Sequence, residues 1–449
     1  MNAFIRFLWL SLVGVFLYYT ACYRVMPNKF AVKLGIDILK REKFDIIKGK
    51  RIGVLTNQAA VDSIGNPTWK ILKEVCEDNL IAIFAPEHGL KGKFLAGETF
   101  SSDEEDGILV YAMYGYDAKP KKSWLEEIDM IVIDLQDLGI RHYTYYSSMI
   151  YMLAACAEEQ IPVVVLDRPN PLGRYIGGPS MDKKWCSFLG PIANMPMFHG
   201  MTIGEIANYV KNADIDIDAN DSNYYGEYTA PLHVSSKTLA NLDLQIIKME
   251  FWERDMTWPE IGIPWNKNSP RISTWSSVLD YAMVPILHLV CKNPDCKARL
   301  YVDFANDRHF GNIYLKNKDC NDVLDEIESI KPKILTGCSM RIAETQDQRR
   351  GKIKYLSLNV KDIKKTIPAI LSLALLSISQ RNENGKKNID WIDCDEDLKS
   401  VIAKGIGDDE LISALFDGKE IDIKYFREKW DFQAKEFIKS IAKYYLYNE

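Results

Sequence analysis

Long basic runs, CxxC cysteine pairs and bilayer-length apolar stretches are all missing from this chain of 449 residues. With 56 Lys and Arg against 62 Asp and Glu, net charge −6, the dispersed cations give no electrostatic footprint for nucleic acid, and no nucleic-acid partner is expected. The nine cysteines show no CxxC spacing and the six histidines no HExxH or HxH, so zinc lacks a ligand set. No GxGxxG, GxxxxGK[ST] or GxSxG occurs. Dinucleotide binding, P-loop phosphoryl transfer and α/β-hydrolase acyl transfer therefore lack their usual parts, and neither cofactor nor metal is expected.

What is present is a globular composition, 47% hydrophobic and 26% charged, in a chain long enough for two or three domains. A run of apolar residues, FLWLSLVGVFLYY, follows Arg6 and ends before Thr20, Ala21 and Cys22. It is shorter than the ~20 residues of a transmembrane helix and fits the core of an export signal. The small residues before Cys22 resemble a bacterial lipobox, so residues 1–22 read as a signal peptide or signal anchor, with lipid on Cys22 as one form. The expected location is exported, periplasmic or membrane-anchored. In an oxidising compartment Cys291 and Cys296 could close a small loop; free thiols are the alternative.

From about residue 36 to 211 short β-branched runs alternate with helical patterns, the signature of βαβ units and a mostly parallel sheet. The strands read RIGVLT (51–56), LIAIFA (80–85), ILVYAM (108–113), DMIVIDL (129–135) and PVVVLD (162–167), apolar throughout as strands covered on both faces are. Helices are expected over 66–78, 145–160 and 202–211, the last opened by a Thr202–Glu205 capping box. The Asp/Asn/Ser/Tyr-rich stretch 212–236 is the best candidate for a boundary or a crossing loop. The expected fold is α/β: a Rossmann-like parallel-sheet domain over 23–215, a second α/β (α+β) domain over 216–449, and a cleft between them.

In an open parallel sheet the ligand crevice lies beyond the carboxyl ends of the strands. There this chain places Asn57 and Gln58, then Glu87 and His88, then Asp134, Gln136, Asp137, Arg141 and Tyr143, then Asp167 and Arg168. Such a gathering of carboxylates, amides, His and Arg at one edge reads as a binding site. Glu87 between Pro86 and His88 suits a general acid, since partial burial raises a carboxyl pKa. Glycoside hydrolysis needs a second carboxylate, with Asp134, Asp137 and Asp167 as candidates, at about 5–5.5 Å for retention or 6.5–9.5 Å for inversion. Structural alternatives stand beside these: an Asp167–Arg168 ion pair, a Gln136 that only satisfies backbone, a buried His199 and a Glu205 that caps a helix.

The stretches GKRIGVLTNQ (49–58), FAPEHGLKG (84–92), AGE (96–98), DLQDLGIRHYTY (134–145), VLDRPNPLG (165–173), GGP (177–179) and HGMTIGE (199–205) resemble the NamZ-like exo-β-N-acetylmuramidases. The resemblance implies a Rossmann-like first domain, a C-terminal α/β domain, and removal of N-acetylmuramic acid from the non-reducing ends of peptidoglycan fragments. It implies that Glu87 is the catalytic acid and that Asn57, His88, Gln136, Arg141, Asp167, Arg168 and His199 line the cleft. Arg141 or Arg168 would then hold the lactyl carboxylate of the sugar. The chain departs from the family pattern in having Ser269-Pro270-Arg271 where relatives have Ser-Pro-Asn, Gly177 in place of a Glu, and none of the usual Gly-rich motifs over 279–310. Two further readings follow from that departure: a non-catalytic muropeptide-binding lipoprotein, or a glycosidase with altered amino-sugar specificity.

Overall fold

The computed structural model describes residues 31–224, 227–291, 300–302, 310–316, 318–330, 333–347, 351–381 and 396–448. The expected export signal at 1–22 with Cys22, and a Cys291–Cys296 pairing, lie outside the described residues.

Every strand of the sequence reading forms. They are β1 (Ile52–Thr56), β2 (Leu80–Ala85), β3 (Asp103–Glu105, an added edge strand), β4 (Ile108–Ala112), β5 (Met130–Asp134) and β6 (Val163–Leu166). The seventh strand of the sheet, Leu244–Ile247, lies beyond the boundary expected at 215/216 and pairs in parallel with β6. The first unit thus extends past residue 215. Sheet order is Leu244–Ile247, β6, β5, β1, β2, β4, β3, parallel except for β3. Successive strands leave β1 on one side through β2 and on the other through β5, so the order reverses between β1 and β5. That reversal opens a crevice at the strands' carboxyl ends.

The strands are apolar throughout because neighbouring residues serve opposite faces. Leu55, Ile133 and Val165 pack with helices Tyr145–Glu159 and Ile203–Asn212, whereas Val54, Val132 and Val164 pack with helices Gly35–Arg41 and Thr68–Cys76. The Thr202–Glu205 capping box forms as read, Thr202 Oγ1 accepting from the Glu205 N–H at 3.1 Å. Within the stretch 212–236, Ile217–Ala219 pairs with Leu232–Val234, and Ser222–Tyr224 with Glu227–Thr229.

The second unit is an antiparallel sheet in the order Leu300–Val302, Asn312–Leu315, Gly351–Val360, Cys338–Asp347, with helices around it. Helix Pro368–Ser379 is apolar on nearly every side and correspondingly buried. One continuous core runs from Leu55 in β1 through this helix to Ile441, so the two units share their interior.

Candidate active site

A cavity of about 230 Å³ lies where the strand ends of the first unit meet the second. Glu87, His88, His142, Tyr143 and Thr144 line it from one side, and Ser269–Ile272, Tyr281, His288 and Phe310 from the other. Two larger hollows, of about 570 and 640 Å³, flank helix Ile423–Ile441, and neither gathers any of the strand-end residues. The convergence of a carboxylate, histidines and phenols singles out the smaller cavity.

Glu87 owes its position to a strained turn. After β2, His88 and Gly89 both take left-handed backbone, φ 74° and 72°, and the Gly89 N–H returns to the Pro86 carbonyl at 2.9 Å. Left-handed backbone at a non-glycine residue such as His88 is uncommon and gathers at functional sites. The Glu87 carboxylate is 4% exposed. Its Oε1 accepts the Gly97 N–H at 2.8 Å and its Oε2 the Thr144 hydroxyl at 2.5 Å. Gly97 stands at φ 85°, which accounts for the glycine of the AGE stretch. His88 Nδ1 lies 2.8 Å from the Phe94 carbonyl, which only accepts, so Nδ1 carries a proton.

The phenols and one histidine of the cavity wall are held neutral. Burial pushes the Tyr143 and Tyr281 phenols well up, and the negative charges of Glu87 and Asp137 push them further. Burial, with the Arg271 charge nearby, lowers His288 to about 3, which leaves it uncharged at neutral pH. Arg271, half-buried, is the one Lys or Arg among the described residues of the lining.

Several expected ligand contacts prove to be scaffold. Asp134 is fully buried, accepts the Thr68 hydroxyl at 2.5 Å and is paired with Arg168 through Nε and, at 2.8 Å, Nη2. The second nitrogen also reaches the Val61 carbonyl at 2.7 Å. The ion pair beneath the site is therefore Arg168–Asp134 rather than Arg168–Asp167, and neither member faces the cavity. Arg141 is buried and donates to the carbonyls of Pro179 and Met195, both at 2.7 Å, and of Gly405 and Ile406. Burial lowers it to about 10, so it stays charged, and its charge is spent on backbone rather than on a ligand.

Asp167 is likewise enclosed, accepting from the Arg168 and Gly204 N–H groups and from the Thr202 and Tyr447 hydroxyls. His199 is fully buried; its Nδ1 accepts the Met201 N–H at 3.3 Å, so its Nε2 carries the proton that faces Asp137 Oδ2 at 3.3 Å. Asp137 Oδ2 also accepts the Gly139 N–H at 2.6 Å, while its Oδ1 takes no hydrogen bond.

Gln58 and Tyr143, with Asn57 acting through Tyr145, converge on the segment that begins at Asn268, whereas the Gln136 side chain donates to the Asp137 and Pro169 carbonyls at 2.9 and 2.8 Å, as the backbone-satisfying alternative had it. The Asn268 carbonyl accepts from Tyr145 at 2.9 Å, Gln58 at 3.2 Å and Tyr143 at 3.3 Å. Its side-chain amide donates to the Gln136 carbonyl at 2.7 Å, and Asn57 steadies Tyr145 by donating to its hydroxyl at 2.5 Å. Of these residues only Tyr143 also lines the cavity. The reading from sequence assigned no role to Thr144, His142, Tyr281 or His288. Thr144 lies inside DLQDLGIRHYTY and was within reach of that motif. Tyr281 and His288 sit on helical stripes that look like ordinary core.

This chain belongs to the family described as exo-beta-N-acetylmuramidase NamZ, N-terminal, whose signature matches residues 52–276. It is similar to the peptidoglycan beta-N-acetylmuramidase NamZ of Bacillus subtilis (strain 168), 37% identical over 257 residues. That match spans 57% of this chain and 56% of the relative, so the shared stretch is little more than half of either. The fold is that of two DUF1343 family proteins of Bacteroides fragilis known from crystal structures. One matches with a TM-score of 0.77 at 24% identity over 94% of this chain and 100% of its own. The other gives 0.63 at 20% identity over 93% and 99%.

Proposed function

We propose that the chain is an exo-acting glycoside hydrolase that removes N-acetylmuramic acid from the non-reducing ends of peptidoglycan fragments, with Glu87 as the general acid. The observation that carries this reading is the Glu87 carboxyl at the wall of the cavity, oriented by Gly97 and Thr144. In the reaction the Glu87 proton passes to the glycosidic oxygen, the bond from that oxygen to the anomeric carbon breaks, and water supplies the hydroxyl of the released sugar while its other proton passes to a carboxylate of the pair. Asp137 is the second carboxylate of this proposal: its Oδ1 takes no hydrogen bond, and its charge reaches the cavity phenols together with that of Glu87. The B. subtilis relative, named for acting on peptidoglycan, supports the substrate class. Export to the periplasm or a membrane-anchored state, proposed from residues 1–22, would put the enzyme beside that substrate.

The test is release of para-nitrophenol from para-nitrophenyl N-acetylmuramide by the purified chain and by Glu87→Gln. On a natural disaccharide, N-acetylmuramic acid linked to N-acetylglucosamine, turnover that falls about 100- to 10,000-fold in a variant with unchanged circular dichroism is the expected result, the range that general acid catalysis contributes, with a smaller fall on the chromogenic substrate, whose leaving group needs the proton less. A folded wild-type chain that binds muropeptide without cleaving this substrate would replace the hydrolase with a muropeptide-binding protein.

A further inference from the structure

Exposure marks the mouth of the Glu87 cavity. Among the described residues that line it, Leu95 and its neighbour Ala96 alone are exposed, and the others are buried or half-buried. At about 230 Å³ the cavity is smaller than the roughly 300–1,000 Å³ of sites that enclose drug-sized ligands, so it has room for one sugar and leaves the rest of a longer fragment outside. The segment that carries Leu95 is firmly built. The Leu95 N–H donates to Glu98 Oε2 at 2.7 Å, and the Leu95 carbonyl accepts the Glu98 N–H at 3.1 Å. The preceding Phe94 stacks on Phe100 with ring centroids 4.9 Å apart, and its carbonyl takes the His88 Nδ1 hydrogen bond at 2.8 Å. Two residues beyond Leu95 the Gly97 N–H holds Glu87 Oε1 at 2.8 Å, and two residues of chain reach about 7 Å at most. A lone exposed leucine is ordinary on a protein surface. This one stands at a cavity mouth, on a lip hydrogen-bonded to the carboxylate, where it meets whatever part of the ligand lies outside.

We propose that Leu95 is the specificity-determining residue on the leaving side of the bond: the sugar that follows the scissile oxygen, N-acetylglucosamine in peptidoglycan, lays the C–H face of its ring on this side chain. The inference rests on the reading of Glu87 as the acid and adds to it the place where the leaving sugar is held. The acid touches the oxygen that joins the two sugars, so with one ring inside the cavity the other starts at Glu87 and runs outward over Leu95. A pyranose chair carries axial hydrogens that make one face apolar. Laying that face on an exposed aliphatic side chain removes apolar surface of both from water. Because the lip is already fixed by Glu98, His88 and Phe100, little further ordering is lost when the sugar lands.

The test is calorimetric binding of two ligands, the methyl β-glycoside of N-acetylmuramic acid and the disaccharide of N-acetylmuramic acid β-linked to N-acetylglucosamine. Each is titrated into the full chain carrying Glu87→Gln, so that the disaccharide is not consumed, and into the same chain with Leu95→Ser or Leu95→Met added; thermal melts of all three accompany the titrations. The disaccharide is expected to bind roughly 3- to 10-fold tighter than the methyl glycoside, the worth of covering about half a leucine side chain. Leu95→Ser removes that increment and leaves the affinity for the methyl glycoside unchanged, and Leu95→Met keeps the increment. An increment that survives Leu95→Ser, its absence when Leu95 is intact, or an equal loss for both ligands overturns the inference. Turnover of the disaccharide by the chain with Glu87 in place separates this from the hydrolase reading. Hydrolysis with an increment independent of Leu95 retains the hydrolase and discards the lip, whereas a Leu95-dependent increment without hydrolysis keeps the second-sugar contact and discards the hydrolase. Failure to bind either ligand overturns both.

Discussion

The Thr144 hydroxyl lies 2.5 Å from Oε2 of Glu87, with the Gly97 N–H on the other carboxylate oxygen. The carboxyl is thereby held in one rotamer at the cavity wall, and a general acid works only if its proton already points at the leaving oxygen.

Replacing Thr144 by Val keeps the shape and deletes the donor. kcat should fall about 10- to 100-fold, the worth of one hydrogen bond to a charged group, with little change in KM, while Thr144→Ser stays close to wild type. Steady-state kinetics on the chromogenic substrate measure both, and a Val variant at wild-type kcat would remove Thr144 from the machinery.

The Arg168–Asp134 pair makes a prediction about folding. Arg168→Met leaves a carboxylate buried at 0% exposure without its cation, which costs about 3–5 kcal/mol of stability. Urea unfolding should show that loss. Were Arg168 instead a ligand contact, the variant would keep its unfolding midpoint and raise KM.

Tyr145→Phe removes the hydroxyl that links Asn57 to the Asn268 carbonyl. An amide donor is then left buried and unpaired, at a cost of about 1–3 kcal/mol, and the turn that carries Arg271 loosens. A lower unfolding midpoint accompanied by a higher KM is the expected pair of changes; either one alone would separate support of the fold from support of the turn.

Asp167 predicts a pH dependence. Burial pushes its carboxyl up to about 7, with Glu205 adding to the rise and hydrogen bonds from Tyr447, Gly204 and Thr202 opposing it. The folded value stands above the unfolded one, so the stability this proton confers is complete below about pH 4 and is lost as pH rises through about 7. Tyr447→Phe deletes the largest opposing hydrogen bond and should move that loss to higher pH. Urea midpoints of the two proteins from pH 5 to 9 give the comparison, and superimposable profile shapes would count against it.

The strands were legible almost to the residue because each is apolar throughout, a pattern that a two-sided core demands. Thr202 and Glu205 declared their helix start in the same local way. The strand Leu244–Ile247 was not visible, since its partners are 81 residues earlier in the chain and a short apolar run does not announce which sheet it joins. At the site, Glu87, His88 and Tyr143, read from the ends of strands, lie on the cavity wall. It could not tell polar residues that face a ligand from those that face the protein. Arg141 shows why: its partners at 179, 195, 405 and 406 are distant in sequence, and only folding brings those carbonyls to it.

The fastening of Asn268 to residues 58, 136, 143 and 145 has a consequence for how a ligand would enter. Domain-closing enzymes admit substrate by swinging one half away from the other on a hinge. Here such a swing would have to break the clasp, and it would also tear a core that the two halves share. Access must come instead through the rim, where Leu95 stands 47% exposed beside the neighbouring Phe94. A cleft of this kind is a socket rather than a jaw, and it suits a ligand that arrives end first.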